Sequence, residues 1–239
     1  MKIQTEGMYY RDLNEIIAKS EDKKIELDNV CGQRYIGCGL KGYDITINGI
    51  PGNALASYMD GSDITVFGNA QDATGDTMNK GRVVVHGSCG DTCGYAMRGG
   101  EIFIRNNTGY RTGIHMKEYG EMKPTVVVGG KTGDFLGEYL AGGVIIVLGI
   151  GIQGDPVGSF CGTGMHGGVI YIRSSKAPQG LPAQVKVEQV NEDDLSLIKS
   201  YVGQYCEFFG GVADEIMKSQ FLKLLPNSNN PYKQLYTSN

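Results

Sequence analysis

Short apolar segments begin at Ile45, Ile64, Val83, Ile102, Val126, Ile145 and Ile170, separated by steps of 19, 19, 19, 24, 19 and 25 residues. One period runs through the middle of the chain, with insertions in two of its turns. Within each segment the apolar residues alternate: Ile45 with Ile47, Ile64 with Val66, Val83 with Val85, and so on to Ile170 with Ile172. Alternation at period two marks half-buried strands. Seven such strands at one spacing predict a repeat architecture, in which no unit buries its apolar face alone and stacking makes one continuous core.

Other columns keep the same register. Four residues after each strand start stand Gly49, Gly68, Gly87, Asn106, Gly130 and Gly149, residue types that tolerate a positive φ where the chain must turn. Asn53, Asp72, Asp91, Tyr110 and Asp134 follow at the eighth position, and Ala56, Gly75, Gly94, Gly113 and Gly137 at the eleventh. At the fourteenth lies a ladder of Met59, Met78, Met97, Met116 and Leu140, which Met165 continues. A unit of 19 residues is too short for a strand, a helix and a return, so each strand pairs with its equivalents in neighbouring units. The fold class read from this is an all-β solenoid, a parallel β-helix of about seven coils with helical flanks; the spacing does not set its handedness. The 37 glycines are then corner punctuation.

The expected organisation is an N-terminal cap over residues 1–42, repeats over 43–175, and a C-terminal helical segment and tail over 176–239. In the cap, Leu13, Ile16 and Ile17 fall on one face of a short helix within residues 9–19, which covers the first coil. After Pro178 and Pro182 the repeat ends. Asn191 followed by Glu192, Asp193 and Asp194 reads as an N-cap with an acidic first turn. Leu195, Ile198, Val202, Tyr205 and Phe209 continue a helix to Gly210 and Gly211, and a second helix is predicted through Ile216 to Leu225, ending at Pro226. The polar tail beyond is expected to pack on a partner or on the repeats.

A net charge of −4 without a basic cluster argues against nucleic acid or an anionic membrane as partner. The absence of a long apolar run or a signal-peptide core predicts a soluble, cytoplasmic protein. The six cysteines, Cys31, Cys38, Cys89, Cys93, Cys161 and Cys206, show no metal-site spacing and are expected as free thiols.

Three motifs invite chemistry. Gly149-Ile-Gly151-Ile-Gln-Gly154 has dinucleotide-loop spacing, but Asp155 and Pro156 follow where an apolar helix should open, and Gly149 belongs to the corner column. Gly129-Gly-Lys131-Thr132 lacks the first glycine of a phosphate loop. The column Asp72, Asp91 and Asp134 could be the carboxylates of a polysaccharide-cleaving enzyme, but corner aspartates bonding their own backbone explain it more simply. No catalytic, cofactor-binding or metal-binding residue is assigned. The stretch from Gly109 to Gly120 interrupts the aspartate column, carries the first insertion, and is basic and aromatic. Tyr110, Arg111, His115, Lys117 and Tyr119 are therefore the interface candidates.

The glycine-punctuated coils from Gly87 to Gly100, Gly133 to Gly143 and Gly162 to Gly168 resemble the GXGXG family, the C-terminal domain of the glutamate synthase large subunit and its stand-alone form. The run Asp194 to Ile198 and the exit Phe221-Leu-Lys-Leu-Leu-Pro226 are similar to that domain's closing helices and their end. The resemblance implies a right-handed β-helix with no active site of its own, a structural subunit of a glutamine-dependent oxidoreductase. Its partners would be a glutamine amidotransferase subunit and an FMN-binding synthase subunit, with FMN and iron–sulfur clusters in those partners. Lys2 stands where a nucleophilic cysteine would be, and no cluster-binding cysteine run occurs. A subunit of formylmethanofuran dehydrogenase shares the coil pattern, and an independent carbohydrate-active β-helix enzyme is the remaining reading. Self-association into a homo-oligomer stays open.

Overall fold

Ile45, Ile64, Val83, Ile102, Val126, Ile145 and Ile170 stand side by side, each directly paired with the next across parallel strands. The structure, a computed structural model, describes residues 1–227; the expectation for the polar tail concerns residues outside these. In chain order the elements are β1 (Lys2–Gln4), α1 (Tyr10–Lys19), β2 (Lys24–Cys31), β3 (Asp44–Ile50), β4 (Asp60–Phe67), β5 (Lys80–Val85) and β6 (Glu101–Ile104). There follow β7 (Thr125–Val128), β8 (Ala141–Val147), β9 (Gly167–Arg173), β10 (Val185–Gln189), α2 (Glu192–Phe209), α3 (Ala213–Met217) and β11 (Phe221–Pro226). All strands belong to one eleven-stranded sheet, ordered β1 to β9, then β11, then β10. β1 to β9 run parallel, and β11 is antiparallel to both β9 and β10.

This corrects the right-handed parallel β-helix of about seven coils. The regular strands form a single open, mostly parallel sheet, with no second or third sheet among the described residues. The reason lies in the return legs. In each repeat three alternate residues take positive φ: Ala54, Ala56 and Tyr58 at 65°, 59° and 57°, then Ala73, Gly75 and Thr77, and likewise to Phe160, Gly162 and Gly164. A left-handed residue at every second position precludes an extended strand. The legs still bond across repeats: Ala54 N–H donates forward to Asp72 O at 2.9 Å, Ala56 N–H back to Ile36 O at 2.8 Å, and Tyr58 N–H forward to Asp76 O at 2.8 Å.

The main core lies between the sheet and these legs. It holds the inward strand residues together with Met59, Met78, Met97, Met116, Leu140 and Met165, all fully buried. Residues lying between the left-handed positions also point inward: Leu55, Thr74, Cys93, Thr112, Leu136 and Cys161 are all at most 1% exposed. α1 adds Leu13 and Ile17 to this core, whereas Ile16, expected beside them, is 41% exposed. Leu13 and Ile17 are four apart and share a face, from which Ile16 is rotated away.

A second core forms on the opposite face of the sheet, where Ile198, Val202 and Tyr205 of α2 and Ile216 of α3 pack on Phe103, Val127, Ile146 and Tyr171. Strands under α2 are accordingly buried on both faces: all of β7 is buried, whereas β3 alternates. α2 is N-capped by Asn191 in a reciprocal capping box with Asp194. The predicted second helix is shorter than expected. α3 spans only Ala213–Met217, and the apolar run after it is β11, paired through Leu222↔Ile172 and Leu224↔Ile170. Six residues with two-fold alternation fit a strand end-capping the sheet better than a helix turn.

Candidate interaction face

The left-handed columns decide what the molecule shows on the side away from the sheet. The middle left-handed residue of each repeat faces the core, where Ala56 is fully buried and a Cβ on Gly75 would lie 2.4 Å from Ile102 Cδ1, whereas the first and third face the other side and in several repeats are large. Tyr35, Tyr58, Arg111, His115, Phe135, Tyr139 and Phe160 all have φ between 53° and 61°. Tyr35, Tyr58 and Phe160 are 44%, 56% and 52% exposed. A bulky residue in this conformation costs on the order of 1–2 kcal/mol relative to glycine, which other repeats use or replace with alanine.

Side chains on successive repeats stack. The His115 ring lies on Tyr139 with centroids 5.0 Å apart and planes at 10°, and meets Tyr95 edge-on at 5.9 Å. Phe135 and Phe160 stack at 5.0 Å and 14°. The Arg111 guanidinium lies 4.9 Å from the Phe135 centroid and donates from Nε to Glu138 Oε2 at 3.0 Å. This ion pair is half-exposed on the arginine side, so it orients the guanidinium over the ring more than it stabilises the fold.

The first insertion folds back on itself. Tyr119 and Met122 exchange backbone hydrogen bonds at 3.2 and 3.1 Å, closing a tight hairpin that leaves Tyr119 64% exposed. Glu118 anchors it by accepting the backbone N–H of Gly143 at 3.0 Å. His115, Lys117 and Tyr119 line one cavity of about 230 Å³ with Ala96, Arg98 and Glu118. Of the five interface candidates, the structure therefore groups three around this cavity. Arg111 lies along the same stacked ridge, and Tyr110 is 51% exposed one position before it. The sequence reading missed Tyr58, Phe135, Tyr139 and Phe160. Tyr58, Phe135 and Tyr139 were signalled as bulky residues in the ninth and thirteenth columns, where Ala54, Ala73 and Ala96 stand in other repeats, whereas the second insertion moves Phe160 to the fifteenth position after Ile145.

The remaining suspects have structural partners. The aspartate column does not bond its own backbone as expected. Asp72 Oδ1 accepts from Asp91 N–H at 2.9 Å, Asp91 Oδ1 from Tyr110 N–H at 2.8 Å, and Asp134 Oδ1 from Ser159 N–H at 2.8 Å. Each carboxylate thus ties its repeat to the next. All six cysteines are free. Cys93 is held protonated by its hydrogen bond to Cys89 and by burial, and burial pushes Cys161 up to about 12. His86 sits between Phe67 and Phe209, and burial followed by the Arg105 charge lowers its pKa. The Gly149–Gly154 loop runs into turns and opens no helix. Among the described residues no three His, Cys, Asp or Glu side chains gather as a metal site, and no helix is long and apolar enough to cross a membrane.

Residues 21–227 match the model of the GXGXG motif family. The chain is 45% identical to the uncharacterized protein MJ1350 of Methanocaldococcus jannaschii, over 98% of this chain and 95% of that protein. Among solved structures it is similar to a chain of the formyltransferase/hydrolase complex (FhcABCD) from Methylorubrum extorquens in complex with methylofuran. That match has a TM-score of 0.66 and 18% identity, and covers 83% of this chain and 71% of that one. At this identity the likeness concerns the fold.

Proposed function

The chain belongs to the GXGXG motif family, and on that footing we propose that it is a structural, non-catalytic subunit of a multisubunit enzyme complex. The observation that carries the proposal is the outward ridge of strained left-handed positions bearing Tyr58, Arg111, His115, Phe135, Tyr139 and Phe160. Exposed aromatic and arginine side chains in a rigid frame are what protein interfaces use as anchors. Conformational strain retained at exposed positions, where glycine would relieve it, favours a role for the side chains themselves. The cross-repeat hydrogen bonds make the frame stiff enough to hold partners at fixed separation.

For the identity of the complex, the structural neighbour supports a one-carbon assembly of the formylmethanofuran dehydrogenase kind, since that neighbour is itself a chain of a formyltransferase/hydrolase complex. A glutamate synthase-like complex is the second reading, with a glutamine amidotransferase and an FMN-binding synthase as partners and FMN and iron–sulfur clusters held by them. It is favoured by the match running through residue 227, across α2, α3 and the exit at Pro226. The test is affinity capture of the native protein from its own cells, with the retained fraction assayed for both chemistries. Formyl transfer with a pterin-bound metal supports the first reading. Flavin absorbance with glutamine-dependent glutamate formation supports the second. A protein recovered without partner or activity overturns the scaffold role.

A further inference from the structure

Arg173 ends β9 and lines a cavity of about 410 Å³ with Gly149, Ile152, Gly154, Pro156, Ser174, Ser175, Ser219 and Gln220. It is the only charged side chain among those lining residues. The guanidinium is half-buried, and burial lowers its pKa from the ordinary arginine value without removing its charge. Among the described residues no carboxylate lies within ion-pair distance of it, and its hydrogen bond is a long one, from Nη2 to Gly149 O at 3.4 Å. A half-buried cation left without a counter-charge is costly unless an anion completes it.

Donors surround the same space. The Ser175 and Ser219 hydroxyls and the backbone N–H of Gly154, all from residues lining the cavity, donate to no acceptor among the described residues. Gly154 holds a φ of 89°, a conformation that glycine adopts without strain in the cavity wall. The six-residue insertion at this turn thus builds one wall of the cavity, and the β9–α3–β11 region builds the other.

We infer that this cavity is an oxyanion site of the phosphomonoester class, with Arg173 as its charge, Ser175 and Ser219 as hydroxyl donors and the Gly154 N–H as amide donor. A guanidinium pairs two oxygens at once, and donors on two further sides suit a tetrahedral group with three free oxygens better than a planar carboxylate with two. The volume leaves room for a small group beyond the phosphate. The site is separate from the ridge, and its existence does not depend on the scaffold reading.

The experiment is titration of the full chain with inorganic phosphate by calorimetry, with malonate as the carboxylate arm. Saturable phosphate binding at or below about 1 mM is expected, weaker by at least roughly tenfold in Arg173→Gln and by a few-fold in Arg173→Lys, which keeps the charge but loses the fork. Ser219→Ala, an exposed-side change that leaves β9 intact, weakens binding without altering thermal unfolding. Lys80→Gln, on β5, leaves it unchanged. Three results overturn the assignment: no saturation by phosphate up to about 10 mM, equal binding in Arg173→Gln, or tighter binding of malonate than of phosphate.

Discussion

The carboxylate of Asp91 accepts the backbone N–H of Tyr110 at 2.8 Å, while its own N–H donates to the carboxylate of Asp72 at 2.9 Å. The two bonds form a chain of side chain-to-backbone links running along the stack, each aspartate reaching exactly one repeat forward. Space for each link is made by a glycine. A Cβ on Gly109 would stand 2.0 Å from Asp91 Oδ1 and 2.9 Å from Asp91 N, and one on Gly90 would stand 2.1 Å from Asp72 Oδ1.

The links therefore have unequal sensitivities. Asp91→Ala removes one exposed bond and is expected to cost about 1 kcal/mol. Gly109→Ala must displace both the carboxylate and the backbone behind it, and should cost more. Urea unfolding of both variants checks this, and a smaller loss for Gly109→Ala would refute the account.

Asp194 is the most invested carboxylate. It caps α2, accepts Lys223 Nζ at 2.8 and 3.0 Å, and accepts the Tyr171 hydroxyl at 2.5 Å, with its side chain 8% exposed. Burial pushes its pKa up, but the Asn191 amide, Lys223 and Tyr171 outweigh it, so the value is depressed below the ordinary carboxylate range. A depressed carboxylate stabilises the fold fully above its unfolded pKa and loses that contribution as pH falls through the folded value. Asp194→Ala leaves Lys223 half-buried without its partner and is expected to cost about 3–5 kcal/mol near neutrality. It should also flatten the acid limb of the stability profile, which unfolding measured from pH 7 downward will show.

α2 is latched by a missing side chain. Tyr205 donates its hydroxyl to Arg105 O at 2.8 Å through the space over Gly129, where a Cβ would lie 2.0 Å from that hydroxyl. Tyr205→Phe loses one bond, about 1 kcal/mol. Gly129→Ala should lift the helix and raise amide exchange along Glu192–Phe209. Exchange confined to the strands, with α2 still protected, would contradict the latch.

Tyr58 tests the ridge. Tyr58→Gly relieves a left-handed residue, so stability should stay within about 1 kcal/mol of the parent or rise. Partner capture should fall several-fold, as it should in the double variant Arg111→Glu, Lys117→Glu. Capture unchanged in both, with the fold intact, would remove the ridge from the interface.

Much of this was legible in the chain. The starts Ile45 to Ile170 fall in the pairing register because a half-buried strand writes its alternation directly into sequence. β2 was harder to read: its equivalent residue, Ile25, lies 20 residues before Ile45, and a bulge between Asp28 and Val30 absorbs the extra one. The return legs defeated the reading because hydrophobic spacing is the same whether alternate residues face out from a strand or from a left-handed turn. Glycine marks the left-handed positions in some repeats, but Ala54, Thr77 and Tyr58 carry no such mark. The ridge was partly seen through its basic insertion, whereas Phe160, displaced from its column by the second insertion, meets Phe135 only when repeats stack.

The reversal of direction at β11 has a consequence for size. A parallel stack can in principle accept another unit at its end, but here the strand on β9 is β11, which runs against it, so the parallel run stops at β9 and the edge strand β10, pointing the same way as β9, is separated from the repeats by β11. Eight parallel strands from β2 to β9 give seven gaps of about 4.8 Å, a length of about 34 Å that the chain itself terminates. The molecule is in that sense a ruler with a stop at one end. Inserting one whole 19-residue unit between β4 and β5 should lengthen it by a single strand spacing, and anything docked at its two ends would move apart by that distance.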